Sequence, residues 1–209
     1  MNIYLIRHAR QNSTLCNVNV ELSEIGREQS KLLGRRLANY NLDVIYSSDL
    51  IRAHETASIA NENMDLRHEV RQGLREIDFG YLQGETDENI AIKFGEFMRE
   101  RSLMTSDIPF PGGECGQDVY NRAKVVLDEM IGEGYSNVAV VTHGGTIRSL
   151  LTGILGLEQA RKLVFALSLE NTSITQLVYR KETGSFYLER FNDYAHLEAD
   201  SRLLRKNWK

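Results

Sequence analysis

Apolar positions along the chain fall into two kinds of stretch. Some are short, nearly continuous runs, and others recur every three or four residues. Residues 2–6 (NIYLI) form a run of the first kind and predict a buried strand. Ser23 then stands where a helix cap is expected. Ile25, Leu32, Leu33 and Leu37 follow with helical spacing toward residue 40. DVIY at 43–46 predicts a second strand, 50–64 a helix and 66–70 a third strand. A less regular stretch follows, with a helix predicted over 87–101. Both prolines, Pro109 and Pro111, fall in the loop after it. From Gln117 onward, Val119, Ala123, Val126, Leu127 and Met130 mark one face of an amphipathic helix. NVAVVT at 137–142 has the unbroken apolar centre of a strand covered on both faces. A helix opens near Gly145, and strands over 173–179 and 185–191 end the regular pattern.

Strands alternating with helices predict an α/β fold, a three-layer α/β/α arrangement around a mostly parallel central sheet. With 209 residues and no repeat, the chain reads as a single domain over 1–209. Its net charge of −4 argues against nucleic acid as a partner. A local basic pocket for a small anion is still compatible with that charge. Two cysteines, Cys16 and Cys115, are too few for a disulfide framework and suggest a reducing compartment. The N-terminal MNIYLIRHAR lacks the layout of a secretory leader. No apolar run approaches the roughly 20 residues a bilayer requires. The expectation is a cytoplasmic protein with no membrane partner; a homodimer stays open.

Open parallel sheets bind ligands beyond the carboxyl ends of their strands. Arg7-His8 follows the first predicted strand, and Ser47-Ser48 the second, with Arg52 early in the next helix. His143-Gly144-Gly145 follows NVAVVT. Two histidines and two arginines can therefore converge on one sheet edge, beside a helix start whose free amides favour an anion. This combination suits phosphoryl transfer. A neutral imidazole can attack phosphorus, and arginines hold phosphate oxygens in bidentate fashion. A second imidazole can bond the equatorial oxygens. A carboxylic acid must then protonate the leaving oxygen. LREIDFG offers Glu76, although Asp78 looks equally good on composition. Taken singly, each residue could be an ordinary surface or turn residue. The placement of several at strand ends carries the reading.

Other phosphate chemistries fail on spacing. Six residues separate Cys115 from Arg122, where a cysteine phosphatase needs five. Walker A and Gly-x-Ser-x-Gly sequences are absent. His54-Glu55 has no following histidine at zinc-protease spacing.

Six blocks in order resemble the histidine phosphatase superfamily, also called phosphoglycerate mutase-like. They are LIRHA at 5–9, ELSEIGREQSKLLGRRL at 21–37, YSSDLIRAHETA at 46–57, LREIDFGYLQG at 74–84, PGGEC at 111–115 and VVTHGGTIRSLL at 140–151. The resemblance runs from Met1 to about Leu177. It implies His8 as the phospho-accepting nucleophile, with Arg7, Arg52, His143 and the Gly144 amide holding the phosphoryl group. It implies Glu76, rather than Asp78, as proton donor, and no metal or organic cofactor. Two departures stand out: Ala9 replaces a glycine, and Arg10 stands where Glu or Gln is common. Thr14 occupies a position where the family often has a phosphate-contacting Asn, with Asn12 nearby.

The resemblance implies a metal-independent phosphomonoester hydrolase acting on a small phosphorylated metabolite. The alternative is a phosphoglycerate mutase, in which Lys93 of AIKFGEFMRE would contact a substrate carboxylate. A lesser alternative is a non-catalytic binder of phosphorylated ligands, which would have no need of Glu76. Residues 81–115 read as a lid or substrate-pocket insertion, with Phe94, Phe97, Met98 and Phe110 either lining the pocket or packing beneath the lid. The tail after Asn192, including Trp208, carries no functional reading.

Overall fold

A computed structural model describes residues 1–205, so Trp208 lies outside the described residues. The elements are β1 (Asn2–Arg7), α1 (Glu24–Leu37), β2 (Val44–Ser47), α2 (Ile51–Asn61), β3 (His68–Val70), α3 (Asp87–Ser102), α4 (Gly116–Glu133), β4 (Asn137–Thr142), α5 (Gly144–Ile154), β5 (Ile174–Arg180) and β6 (Ser185–Asp193). The six strands form one sheet in the order β3-β2-β4-β1-β5-β6. β1 and β2 flank β4 in parallel, and β3 pairs in parallel with β2. β5 runs antiparallel to both β1 and β6, so it alone opposes the other five strands.

The alternation of side chains along the central strands builds two cores. Ile3 and Leu5 of β1 and Val138 and Val140 of β4 face one side, where they meet Ala123, Leu127 and Met130 of α4 and Ile147, Leu150 and Leu151 of α5. Tyr4, Ile6, Ala139 and Val141 face the other side, against Leu33 and Leu37 of α1 and Ala53, Ala57 and Ala60 of α2. Each such aliphatic side chain contributes about 1.5–3 kcal/mol on burial. Covering both faces is what makes the central strands read as apolar runs. α1 can lie close to α2 because Gly34 abuts the Ala60 backbone, where a Cβ would meet the carbonyl oxygen at 2.5 Å.

Several boundaries differ from the sequence expectation, each for a local reason. Ser23 does cap α1, accepting from the Gly26 amide. That helix stops at Leu37, and Asn41 turns the chain with φ of 47°. α2 ends at Asn61, whose side chain bonds both the amide and the carbonyl of Leu66 and closes a turn. β3 therefore begins only at His68. The tail folds back onto the molecule: Leu197 and Leu203 are buried, and the Leu203 carbonyl accepts from the Gln29 side chain.

Among the described residues, no helix is long and apolar enough to cross a membrane.

Candidate active site

The carboxyl ends of β1, β2 and β4 meet at one edge. Arg7 pairs with Thr142 in register, and the His8 amide donates to the Thr142 carbonyl at 2.8 Å. The Ser48 amide donates to Val141 at 3.0 Å. This lattice places His8 and His143 side by side, with ring centroids 5.0 Å apart. His8 is 6 % exposed, Arg52 2 % and His143 not at all.

The hydrogen bonds of His8 set its tautomer. Its Nδ1–H donates to the Ala9 carbonyl at 2.7 Å, because a carbonyl can only accept. Nε2 then carries the lone pair, and it accepts from Arg52 Nε at 3.3 Å. Burial lowers the His8 pKa well below the usual imidazole value, helped by the Arg52 and Arg7 guanidinium groups. The His143 pKa is also lowered well below that value, first by burial and then by Arg52 and His8. Both rings are thus neutral at pH 7. Neither nitrogen of His143 has a hydrogen-bond partner among the described residues. Ala9 is accommodated because its φ is not positive, so the backbone there does not require glycine. Its amide donates to Thr56 Oγ1 at 3.0 Å.

The arginines approach from two directions. Arg52 is fixed by its other nitrogens, which donate to Val18 O at 3.0 Å and Asn17 Oδ1 at 2.7 Å. Arg7 donates to the Leu169 carbonyl, while its Nε is buried without a partner. Burial and the neighbouring Arg205 lower the Arg7 pKa to about 9, which leaves it charged at neutral pH.

Glu76 enters from the loop after β3. Its Oε1 accepts from the Ile77 and Thr146 amides at 2.9 and 3.2 Å, and Oε2 accepts from the Gly145 amide at 3.2 Å. The sequence had suggested the start of α5 as the seat for a ligand anion. The structure instead seats the Glu76 carboxylate at the Gly145 and Thr146 amides, and a Cβ on Gly145 would lie 2.4 Å from Oε1. A second clamp holds the Glu76 loop from behind. Arg122 donates to the carbonyls of Gly73, Arg75 and Glu76 and to both carboxylate oxygens of Glu114. Glu114 also accepts from the Asp78 amide at 2.9 Å.

Arg7, His8, Arg52 and Glu76 line one cleft of about 400 Å³, with Asn17 and Asn171 in its wall and Thr14 at its exposed rim. His143 packs behind His8, and Gly144 lines an adjoining recess that Arg7 and Glu76 share. Asp78 points elsewhere, accepting from the Gly80 amide and the Gln83 side chain. Among the described residues, no group of three or more His, Cys, Asp or Glu side chains could hold a metal ion.

Residues 3–194 match the family model described as histidine phosphatase superfamily (branch 1). The chain belongs to this superfamily. Phosphoserine phosphatase 1 of Hydrogenobacter thermophilus is 29 % identical over 205 residues, covering 90 % of this chain and 97 % of its relative. "Probable phosphoglycerate mutase GpmB" of Yersinia pestis is 27 % identical over 210 residues, covering 95 % of each chain. Among solved structures, a mycobacterial glucosyl-3-phosphoglycerate phosphatase with inorganic phosphate superposes with a TM-score of 0.83 at 28 % identity, over 93 % of this chain and 98 % of that one.

Against this superfamily background, some side chains lie where the sequence did not direct attention. Asn17, not Asn12, reaches Arg52; Asn12 donates to Glu21 on the surface. Arg10 lines the cleft, and its guanidinium donates to the Leu203 and Leu204 carbonyls and holds the tail. Arg101, Arg148 and Arg205 also reach the site region. The Arg in VVTHGGTIRSLL, one turn beyond the glycines, was the available signal for Arg148. Phe94, Phe97 and Phe110 pack together beneath α3, with Phe110 2 % exposed.

Proposed function

We propose that the chain is a phosphomonoester hydrolase that passes the phosphoryl group of a small phosphorylated metabolite through His8 to water. The observation that carries this reading is the state of His8: its Nε2 lone pair faces Arg52 while Nδ1–H is held by Ala9 O.

In the first step Nε2 attacks phosphorus in line and the bond to the leaving oxygen breaks. Glu76, as the acid, gives that oxygen its proton. Arg7, Arg52, His143 and the Gly144 amide hold the equatorial oxygens, where charge spreads in the transition state. Arg52 Nε turns from Nε2 to a phosphoryl oxygen as the P–N bond forms. In the second step water attacks phosphorus while the Glu76 carboxylate takes its proton, and the P–N bond breaks with its electron pair returning to Nε2. The amides of Ile77, Gly145 and Thr146 hold the carboxylate in place through both steps. Cationic side chains supply the charge stabilisation, so turnover is expected to persist in EDTA. Residues 81–115 are the cover over this cleft in our reading. The two cysteines are free thiols, which suits a cytoplasmic setting.

The test is mass spectrometry of enzyme quenched during turnover. Phosphohistidine is acid-labile and base-stable, so one added phosphate is expected on His8 after a basic quench and none after an acidic one. An enzyme that turns over with no phosphate on His8 would overturn the covalent route. The relative named as a mutase supports a second reading, return of the phosphoryl group to a bound sugar acid. Lys93, the carboxylate contact which that reading uses, is instead paired with Glu85 at 2.6 Å on exposed α3. Phosphate release against isomerisation of phosphoglycerate separates the two.

A further inference from the structure

The charge at the site exceeds what a single phosphoryl group requires. Arg7, Arg52, Arg101, Arg148 and Arg205 all come to this corner of the molecule, and among the described residues none of them forms an ion pair with a carboxylate. Arg148 donates only to the carbonyls of Phe165, Ala166 and Leu167. Arg101 lies over the Phe110 ring at 4.8 Å, with its Nε buried and unpartnered. Arg205 donates to the Ser168 hydroxyl. Glu76 acts on Arg7, Arg101 and Arg148, Glu170 weakly on Arg7, and Asp107, which is paired with Lys162, on Arg101 ahead of Glu76. Burial and mutual repulsion lower the Arg101 and Arg148 pKa values, the direction expected for cations lacking counter-charge.

Three of these guanidinium groups, Arg101, Arg148 and Arg205, line a recess of about 190 Å³. The recess joins the His8 cleft along a shared wall of Arg7, Glu76, Phe79 and Arg205. Its position relative to the chemistry matters. A phosphoryl group on His8 is matched by Arg7 and Arg52. The leaving oxygen lies at Glu76, so the rest of the alcohol extends from Glu76, and the recess begins there. A space this small takes a short carbon stem and one charged group, and its apolar wall at Leu163 and Leu169 suits the stem.

We propose that this recess is a second anion-binding subsite, in which Arg101 and Arg148 receive a carboxylate or a further phosphate carried by the leaving alcohol. The proposal rests on the hydrolase reading and narrows its substrates to phosphomonoesters with a second negative charge.

Two matched substrate pairs test it, with p-nitrophenyl phosphate as the reference for the chemistry alone. O-phosphoserine and phosphoethanolamine differ by a carboxylate; glycerol 1,3-bisphosphate and glycerol 1-phosphate differ by a phosphate. We expect kcat/KM to favour the more anionic member of at least one pair by tenfold or more, and the pair that shows it names the group. In Arg101→Gln and Arg148→Gln the preference is expected to fall to about threefold or less, mainly through KM. Because the readout is a ratio within one variant, a general loss of folded enzyme does not imitate it. Should Arg148→Gln fail to fold, Arg101→Gln carries the test. Ratios within twofold for both pairs in the unaltered enzyme, or a preference that survives both substitutions, overturn the subsite while hydrolysis of p-nitrophenyl phosphate leaves the hydrolase standing. Failure to hydrolyse any of the five compounds removes the hydrolase reading and the subsite with it.

Discussion

The two walls of the cleft are built by different means. On one wall, Arg7, His8 and Arg52, with His143 packed behind His8, project from strand ends and the first turn of α2, and their backbone is fixed by the parallel ladder of β1, β4 and β2. The other wall comes from the loop after β3 and from α3. Glu76 is held by amides and by the Arg122–Glu114 clamp, and α3 has no buried residue at all. A side chain anchored in a two-sided core keeps its position whatever the surface does. A side chain anchored by a few polar contacts can be moved by a single substitution. In the proposed hydrolase the first wall holds the groups that handle phosphorus, which every phosphomonoester shares. The second holds the groups that meet the alcohol, which differs from substrate to substrate.

The sharpest way to break this contrast is at the two reacting groups. Replacing His8 with Ala should bring turnover to background and abolish the covalent intermediate for every substrate, since among the described residues no other imidazole lines the cleft. Glu76→Gln should behave differently from one substrate to another. With an alkyl phosphate we expect a loss of about 10²–10⁴ in kcat, the usual worth of a positioned proton donor. With p-nitrophenyl phosphate the loss should be under tenfold in formation of the intermediate, because that leaving oxygen needs little protonation. Equal losses for both leaving groups, read by stopped-flow, would remove Glu76 from the donor role.

The clamp tests the loop wall one step further out. Arg122→Ala removes the donor shared by the Gly73, Arg75 and Glu76 carbonyls and Glu114, although Thr146 still donates to Arg75 O and the Asp78 amide to Glu114. These acceptors are only partly buried and can turn to water, so the loss per hydrogen bond is about 0.5–1.5 kcal/mol. We expect kcat on alkyl phosphates to fall about tenfold while KM changes little, because Glu76 drifts and the phosphate-binding wall does not. A matching loss with p-nitrophenyl phosphate would show that the two walls are not separable in this way.

What the sequence showed follows the same division. NVAVVT was readable because burial on both faces leaves a run of apolar residues, and the residues after such strands could be placed at one edge without further information. Ser23 was readable because capping is local. Arg101, Arg148, Arg205 and Asn17 were not, because their arrival at the site depends on how α3, α5, the tail and the loop after β1 pack over long separations in the chain. That Glu76 takes up the Gly145 and Thr146 amides at the start of α5 was not legible for a related reason. Only the fold shows that the loop after β3 delivers a carboxylate to those amides, in the space that Gly145 leaves open.

A pH titration reads the strand wall directly. The folded pKa values of His8 and His143 are lowered, so the unfolded chain binds protons near pH 6.5 that the folded chain refuses. His196, lowered to about 4 by burial and Arg36, adds to the effect. Stability from these groups is therefore fully present above about pH 6.5 and declines as pH falls toward their folded values. Tm should drop between pH 7 and pH 5. Over the same interval the rate of phosphoenzyme formation, corrected for ionisation of the substrate, should show no acid limb near 6.5, because His8 stays neutral. Such a limb would mean that solvent reaches the imidazole.

The smallest expected effect lies at Lys93, and it bears on the mutase alternative. Lys93 is on α3, its ammonium paired with Glu85, half exposed and outside both the cleft and the recess. An exposed ion pair of this kind is worth about 0–1 kcal/mol. Lys93→Ala should therefore change kcat/KM by less than twofold on any substrate, anionic or not, and shift Tm by a degree or two. If the recess at Arg101 and Arg148 receives the second anion, the charge that α3 contributes comes from Arg101 and not from Lys93. A tenfold rise in KM for O-phosphoserine in Lys93→Ala, with p-nitrophenyl phosphate unaffected, would reverse that assignment. It would mean that α3 swings to bring Lys93 over the substrate, and that the loop wall is completed only when the cover closes.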